Sequence, residues 1–208
     1  MEQKPVEKKE KMLLVTCCAP CSPYIIDCLT PTFDLVLYFY NPNIYPRHEY
    51  ELRKLEMACY ASSLNLPFIE GAYDNDRWLD MTDEVKDEAE GGFRCEVCFR
   101  MRLNQACLYA AESGIRMFTT TYAISPYKNR LTINKVCQDL AHSYGLKYLD
   151  YDFRKKEGFK ASMQMSKMHD FYMQKYCGCR YSLHETERRY ERKHQRESVA
   201  QLEELSFS

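Results

Sequence analysis

The chain is 208 residues long, 45% hydrophobic and 28% charged, with a formal net charge of −1. That length holds one sizeable core and is short for two domains, and the even charge excludes neither nucleic acid nor acidic substrates, so only local patches bear on such partners. The first eleven residues are charged and lack the apolar stretch of a secretory signal, and no run approaches the roughly eighteen apolar residues of a membrane span. A soluble cytoplasmic protein is expected. Its eleven cysteines then read as metal-binding, catalytic or buried, not as a disulfide frame.

Residues 1–11 read as a disordered tail, and 12–208 as a single α/β domain ending in a charged helix. Met12-Leu-Leu-Val-Thr16 is predicted to be a buried strand, and Pro23 opens a short helix with Ile25, Ile26 and Leu29 on its apolar face. A second strand spans 34–40 and ends at Asn41-Pro-Asn43; a helix over about 46–64 places Leu52, Leu55, Cys59 and Ser62 on one face; a third strand spans 66–70. Asp74 is positioned to cap a short helix carrying Trp78 and Met81. After Glu90-Gly-Gly92 the spacing predicts a helix from about Val97 to Ser113, closed by Gly114. A threonine-rich strand over 115–122, a loop at Ser125–Asn129, a helix carrying Ile133, Val136 and Leu140 that stops at Gly145, and a fifth strand over 147–151 follow. Two more helices flank Tyr176-Cys-Gly-Cys-Arg180. This alternation predicts a mainly parallel five-stranded sheet with helices on both faces, and a ligand site where strand order reverses, near Cys17 and Cys18 at the end of the first strand.

Four cysteines have an ordinary explanation. Cys28, Cys59, Cys107 and Cys137 each fall at helical spacing from apolar neighbours and are expected in the core, where free cysteine packs as a small hydrophobe. The other seven do not: Cys17-Cys18-x-x-Cys21, Cys95-x-x-Cys98 and Cys177-x-Cys179 sit at turns or helix starts, two of the groups beside glycine. Thiolate sets of this kind select zinc, copper(I) or iron–sulfur clusters. Four cysteines satisfy either a [4Fe–4S] cluster or a structural zinc, and seven exceed one closed four-ligand site. A zinc site with spare cysteines and a dithiol oxidoreductase remain open readings of the same residues.

The first strand–helix turn, Cys17-Cys-Ala-Pro-Cys-Ser22, carries no glycine and no Lys-Ser or Lys-Thr, which argues against ATP chemistry. Basic residues gather at Arg154-Lys-Lys156 with Lys160, and again at Arg180, Arg188, Arg189, Arg192, Lys193 and Arg196, interleaved with Tyr181 and Tyr190. Such a pattern suits phosphates and unpaired bases, and equally a solvated helix laced with ion pairs to Glu185, Glu187 and Glu191. The five histidines are scattered, with no zinc-type pair, and are read as surface or structural.

Cys17-Cys-Ala-Pro-Cys21, Asn41-Pro-Asn43, Glu90-Gly-Gly-Phe-Arg-Cys-Glu-Val-Cys-Phe99, Phe118-Thr-Thr-Thr121, Ser125-Pro-Tyr-Lys-Asn129, Asp152-Phe-Arg-Lys155 and Tyr176-Cys-Gly-Cys-Arg-Tyr-Ser182 together resemble, in this order, the cobalamin-independent epoxyqueuosine reductases, over about residues 12–183. The resemblance implies reduction of the epoxide of epoxyqueuosine in tRNA to the alkene of queuosine, a fold like that of adenine-nucleotide α-hydrolases, a [4Fe–4S] cluster, an adjacent mononuclear iron and an electron donor that the sequence does not identify. On that footing Cys17, Cys95, Cys98 and Cys177 are assigned to the cluster, and Cys18 and Cys179 to the second, catalytic iron, with Cys21 in reserve. Adjacent cysteines in extended backbone point opposite ways, which is the reason for separating Cys17 from Cys18. Asn41, Asn43, Ser125, Lys128, Asn129 and Arg154 fall at expected strand ends on one rim and are candidates to contact the modified base or anticodon phosphates. Loop-stabilising hydrogen bonds are the alternative use of Asn and Ser there.

Overall fold

A computed structural model describes residues 9–206, with Lys156 and residues 199–206 described in backbone only. Strand and helix alternate through β1 (Glu10–Val15), α1 (Pro23–Leu29), β2 (Phe33–Phe39), α2 (Arg47–Ser63), β3 (Phe68–Glu70), α3 (Asn75–Thr82), α4 (Phe93–Glu112), β4 (Met117–Thr120), α5 (Arg130–Tyr144), β5 (Lys147–Tyr148), α6 (Gly158–Met168) and α7 (Arg180–Ser206). The five strands form one sheet in the order β3-β2-β1-β4-β5, and every pairing is parallel. This is the expected α/β architecture. Residues 1–8 of the expected tail lie outside the described residues, while Glu10 and Lys11 belong to β1, paired with Phe33 and Asp34.

β1 is the central strand, and its sequence says why. Met12, Leu13, Leu14 and Val15 point alternately to the two faces of the sheet, and all four are fully buried, so both faces are covered. Burying each such side chain contributes roughly 1.5–3 kcal/mol. Helix α1 packs against α6, α2 against the turn that follows β1, and α4 against both α3 and α5. Helix ends follow local chemistry. Pro23 starts α1; Asn129 caps α5 by accepting from the N–H groups of Leu131 and Thr132; Gly145, at φ +64, ends it in the left-handed conformation that glycine tolerates.

Four expectations are corrected. Helix α4 begins at Phe93, not near Val97, because Gly92 supplies the N-cap carbonyl, which accepts from Cys95 and Glu96. Asp74 is the N-cap residue of α3, its carbonyl accepting from Trp78 N–H at 3.0 Å, but its carboxylate makes no capping bond and instead accepts the Tyr40 hydroxyl at 3.3 Å. On α2 the buried face is Glu49, Tyr50, Arg53, Met57, Tyr60 and Ala61, whereas Leu52 and Leu55 are exposed. Cys59 on that outer face and Cys28 on α1 are exposed as well, so of the four cysteines expected to pack as ordinary hydrophobes only Cys107 and Cys137 are buried.

The sheet order reverses between β1 and β4. A crevice at the carboxyl ends of strands forms at such a reversal. Thr16 and Cys17 leave β1 there, and Thr121 leaves β4, bonded through its N–H to the Val15 carbonyl at 3.0 Å.

Candidate functional site

The crevice is filled by thiols. The sulfurs of Cys17, Cys18 and Cys21 lie within 4.8 Å of one another and all three residues are buried. Cys17 Sγ is 3.6 Å from Cys18 Sγ and 3.7 Å from Thr121 Oγ1. Cys17 and Cys18 therefore do not face opposite ways; the chain turns into the single 3-10 turn Ala19–Cys21 directly after Cys18, and the turn brings their sulfurs together. The turn is pinned from α6, where Ser162 and Ser166 both donate to the Pro20 carbonyl at 2.8 and 3.0 Å. Gly158 lets α6 start close by: a Cβ there would sit 1.7 Å from the Phe153 carbonyl oxygen.

Hydrogen bonds from the thiols of Cys18 and Cys21, helped by Lys128 and Arg102, hold the Cys17 thiol well below its ordinary pKa. The same bonds push Cys18 up to about 12 and Cys21 well above the usual thiol range. The trio thus favours one thiolate flanked by two donors, and a soft cation that displaced the two protons would bind three sulfurs. The donor set fits a thiophilic metal centre, and this buried group can hold a metal.

The remaining cysteines arrive on α4 and before α7. Cys95 and Cys98 lie three residues apart at the start of α4, on one face. Cys95 Sγ accepts the Gly91 N–H at 3.2 Å, and Cys98 Sγ accepts from Arg102 Nη1 at 3.9 Å. Cys179 immediately precedes α7, and its sulfur accepts the Ser182 N–H at 3.4 Å, a helix-capping geometry that favours thiolate. Burial pushes Cys95 to about 11 and Cys179 to about 12; burial raises Cys177 too. The charges of Cys177 and Cys98 act on both Cys95 and Cys179, and that of Cys98 acts on Cys177. Arg102 and Lys128 tie the groups together: burial opposes their charge, but neighbouring thiolates, Cys17 and Cys177 among them in both cases, keep each cation's pKa above its ordinary value. Both cations also stack on the Tyr122 ring, at 4.1 and 5.4 Å from its centroid.

A cavity of about 720 Å³ opens onto these thiols. Cys17, Cys21 and Cys177 line its thiol side, Arg53, Lys128, Lys175 and Arg189 supply cations, and Phe159, Met163 and Met173 form an apolar wall. Among the rim candidates, Ser125 and Lys128 line the cavity. The others have structural work. Asn41 is fully buried; its Nδ2 donates to the Thr16 carbonyl at 3.1 Å and its Oδ1 accepts from Arg102. Asn43 is buried under Gly178. Asn129 is the α5 cap, and Arg154 pairs with Asp152 at 3.2 Å. Cys18, 1% exposed, sits behind Cys17 and is not among the lining residues.

Sequence reading missed the residues that hold the thiols in place. Gln174 lines the cavity and donates from Nε2 to Cys18 Sγ at 3.0 Å. Arg53, 2% exposed, pairs with buried Glu49 at 2.7 Å and donates to the carbonyls of Cys177 and Tyr176 at 3.1 and 3.3 Å. The i,i+4 spacing of Glu49 and Arg53 was a visible signal, though it reads first as a surface pair. Gly178 adopts φ +132, and a Cβ on it would press on Arg53 Nη1 and Ile44 Cγ1, each at 3.1 Å, so the residue between the last two cysteines must be glycine.

Fold and site define a doubly wound α/β protein whose switch-point crevice holds a thiol cluster among buried cations. The family model described as "Epoxyqueuosine reductase QueH" matches residues 12–185, and the chain belongs to that family. Proteins named epoxyqueuosine reductase QueH from Acinetobacter baylyi and Histophilus somni are 41% and 42% identical to it, over 88% and 85% of this chain and 84% and 73% of their own lengths. The protein of that name from Thermotoga maritima is 34% identical, over 83% of this chain and 90% of its own.

Proposed function

We propose that this chain is an epoxyqueuosine reductase, an oxidoreductase that acts on epoxyqueuosine in tRNA and completes queuosine synthesis in the cytoplasm. The observation that carries the reading is the gathering of Cys17, Cys18 and Cys21 within 4.8 Å beside a cation-lined cavity that Cys17 and Cys21 line, in a chain of that family. In the reaction both C–O bonds of the epoxide break, a C=C bond forms, and two electrons and two protons convert the oxygen to water.

We assign the seven cysteines of the three groups as metal ligands, Cys17, Cys95, Cys98 and Cys177 for a [4Fe–4S] cluster and Cys18 and Cys179, with Cys21 nearby, for an adjacent iron; with the Cys17 and Cys18 sulfurs 3.6 Å apart, this division rests on the family resemblance and not on opposite-facing side chains. When bound, these centres supply single electrons in turn and a Lewis acid for the leaving oxygen. The chain's own residues prepare the site. Lys128 keeps its proton because the Cys17 thiolate outweighs the effect of burial, so Nζ serves as a fixed charge and hydrogen-bond donor toward the substrate oxygen, not as the titrating acid. Phe159, Met163 and Met173 receive the apolar edge of the cyclopentane ring and limit water at the thiols. Lys175 and Arg189 lie where the backbone of the modified nucleotide leaves the cavity. Among the described residues no helix is long and apolar enough to cross a membrane.

The test is iron, acid-labile sulfide and zinc per chain on anaerobically purified protein, followed by turnover of epoxyqueuosine-containing tRNA with a strong reductant, read as queuosine by nucleoside mass spectrometry. About four sulfides with four or five irons and queuosine formation are expected. Zinc without sulfide after anaerobic reconstitution, and no queuosine, overturns the reading. The ligand partition fails if Cys18→Ala loses the sulfide while Cys17→Ala keeps it.

A further inference from the structure

We infer that α7 is a phosphate-gripping arm: its basic face binds the RNA backbone leading away from the cavity, an inference that rests on the tRNA substrate proposed above. The family match ends at residue 185, whereas α7 runs on to Ser206. Thr186 and Arg189 of this helix line the cavity, so one face of α7 passes the mouth. At 3.6 residues per turn Arg192, Lys193 and Arg196 share that face with Arg189, and Arg188 flanks it, while Glu187 and Glu191 fall about 160° round from Arg189. All five cations are exposed.

The arrangement of charge is what separates this helix from a solvated one. A helix stabilised by its own ion pairs sets opposite charges at i and i+3 or i+4; Arg188 has Glu185 and Glu191 at i−3 and i+3, yet pairs with neither. Here Arg188, Arg192 and Arg196 stack like on like at the i,i+4 spacing, as do Arg189 and Lys193, and on the far side Glu187 and Glu191. Each such pair works against the isolated helix. Glu185, the carboxylate correctly spaced for Arg189, is instead bound to buried Arg94 at 3.1 Å. Among the described residues, Lys193 alone of the five has a carboxylate partner, Glu197 at 3.6 Å. Arg188 and Arg192 turn Nε toward main-chain carbonyls, at 3.2 and 3.1 Å. The row from Arg189 to Arg196 rises about 10 Å along the axis, away from the thiols. A continuous polyanion that starts in the cavity and leaves along α7 meets this row, and the RNA strand on either side of a base held in the cavity is such a polyanion. The arm contributes affinity and register without reading sequence.

The test compares the holoenzyme with the variant Arg192→Gln/Lys193→Gln/Arg196→Gln and with Arg192→Lys/Arg196→Lys. For full-length tRNA at about 0.1 M salt the Gln variant should raise KM roughly tenfold with kcat and iron content unchanged, and lower the log–log salt slope of tRNA binding by about two to three. The Lys variant should keep the parent slope. On the isolated modified nucleoside, parent and Gln variant should turn over alike. Equal tRNA affinity and slope in parent and Gln variant overturns the arm while leaving the reductase reading intact, and so does equal loss in both variants, which marks a fold effect instead of charge. A parent enzyme that neither binds nor reduces the tRNA overturns the reductase reading itself.

Discussion

Gln174 donates its side-chain amide to the Cys18 sulfur across 3.0 Å, while its own Oε1 is buried with no partner among the described residues. An N–H···S bond stabilises the more negative state of the sulfur, so it eases reduction of any centre that Cys18 ligates. At about 1 kcal/mol for a hydrogen bond, its loss is worth about 40 mV in a one-electron couple. Gln174→Leu should shift the midpoint potential of the iron centre downward by that order, with iron content retained. Redox titration followed by EPR decides; an unmoved potential with full iron occupancy removes Gln174 from this role.

Arg53 joins α2 to the Cys177–Cys179 loop through two carbonyl bonds, and its charge is matched by buried Glu49. Deleting one partner of such a pair leaves an uncompensated buried charge, at a cost of about 3–5 kcal/mol. Arg53→Met should lower Tm by about 10 °C or more and also lower iron content. Arg53→Met/Glu49→Leu separates the two effects: much of the Tm returns because no charge is stranded, while iron stays low because the carbonyl tethers remain lost. Full recovery of iron in the double variant would show that the tethers do not hold the loop.

The strands and the switch-point site were legible because they rest on short-range signals: an apolar run for β1, glycine stops at Gly114 and Gly145, and cysteines grouped where β1 must end. The α2 face was not. Its periodicity offers two apolar-looking stripes, and the one containing Leu52 and Leu55 turns outward because Glu49 and Arg53 are drawn inward by each other and by the loop at Cys177, a long-range partner that no local pattern encodes. Two rim residues carry a related ambiguity. Asn41 and Asn129 are in the turns where they were expected, but their amides are consumed by Arg102 and Thr16, and by the first turn of α5.

The outward α2 stripe makes a chemical prediction. Cys59 and Cys28 are exposed, whereas Cys107 and Cys137 are buried and burial pushes the Cys107 thiol up to about 12. With metal ligands protected by the bound centre, native iodoacetamide should label Cys28 and Cys59 first and leave Cys107 and Cys137 unmodified until denaturant is added. Peptide mass spectrometry reads the order. Early labelling of Cys107 would contradict the packing of α4 on the sheet.

Asn129 decides between a substrate contact and a helix cap. Its Oδ1 accepts from Leu131 N–H at 3.0 Å and Thr132 N–H at 3.3 Å. Loss of an N-cap costs about 1 kcal/mol, which for a chain of this size is roughly 2–4 °C in Tm. Asn129→Ala should show that drop with kcat/KM on tRNA within about twofold of the parent, and Asn129→Asp, which keeps the acceptor oxygen, should restore the Tm. Lys128→Met, one residue earlier and in the cavity wall, should do the reverse, with little change in Tm and a fall in kcat/KM of about a hundredfold from losing a charge-assisted hydrogen bond. If Asn129→Ala instead lost turnover at unchanged Tm, the asparagine would belong to the substrate site, and the capping bonds would be incidental to its role.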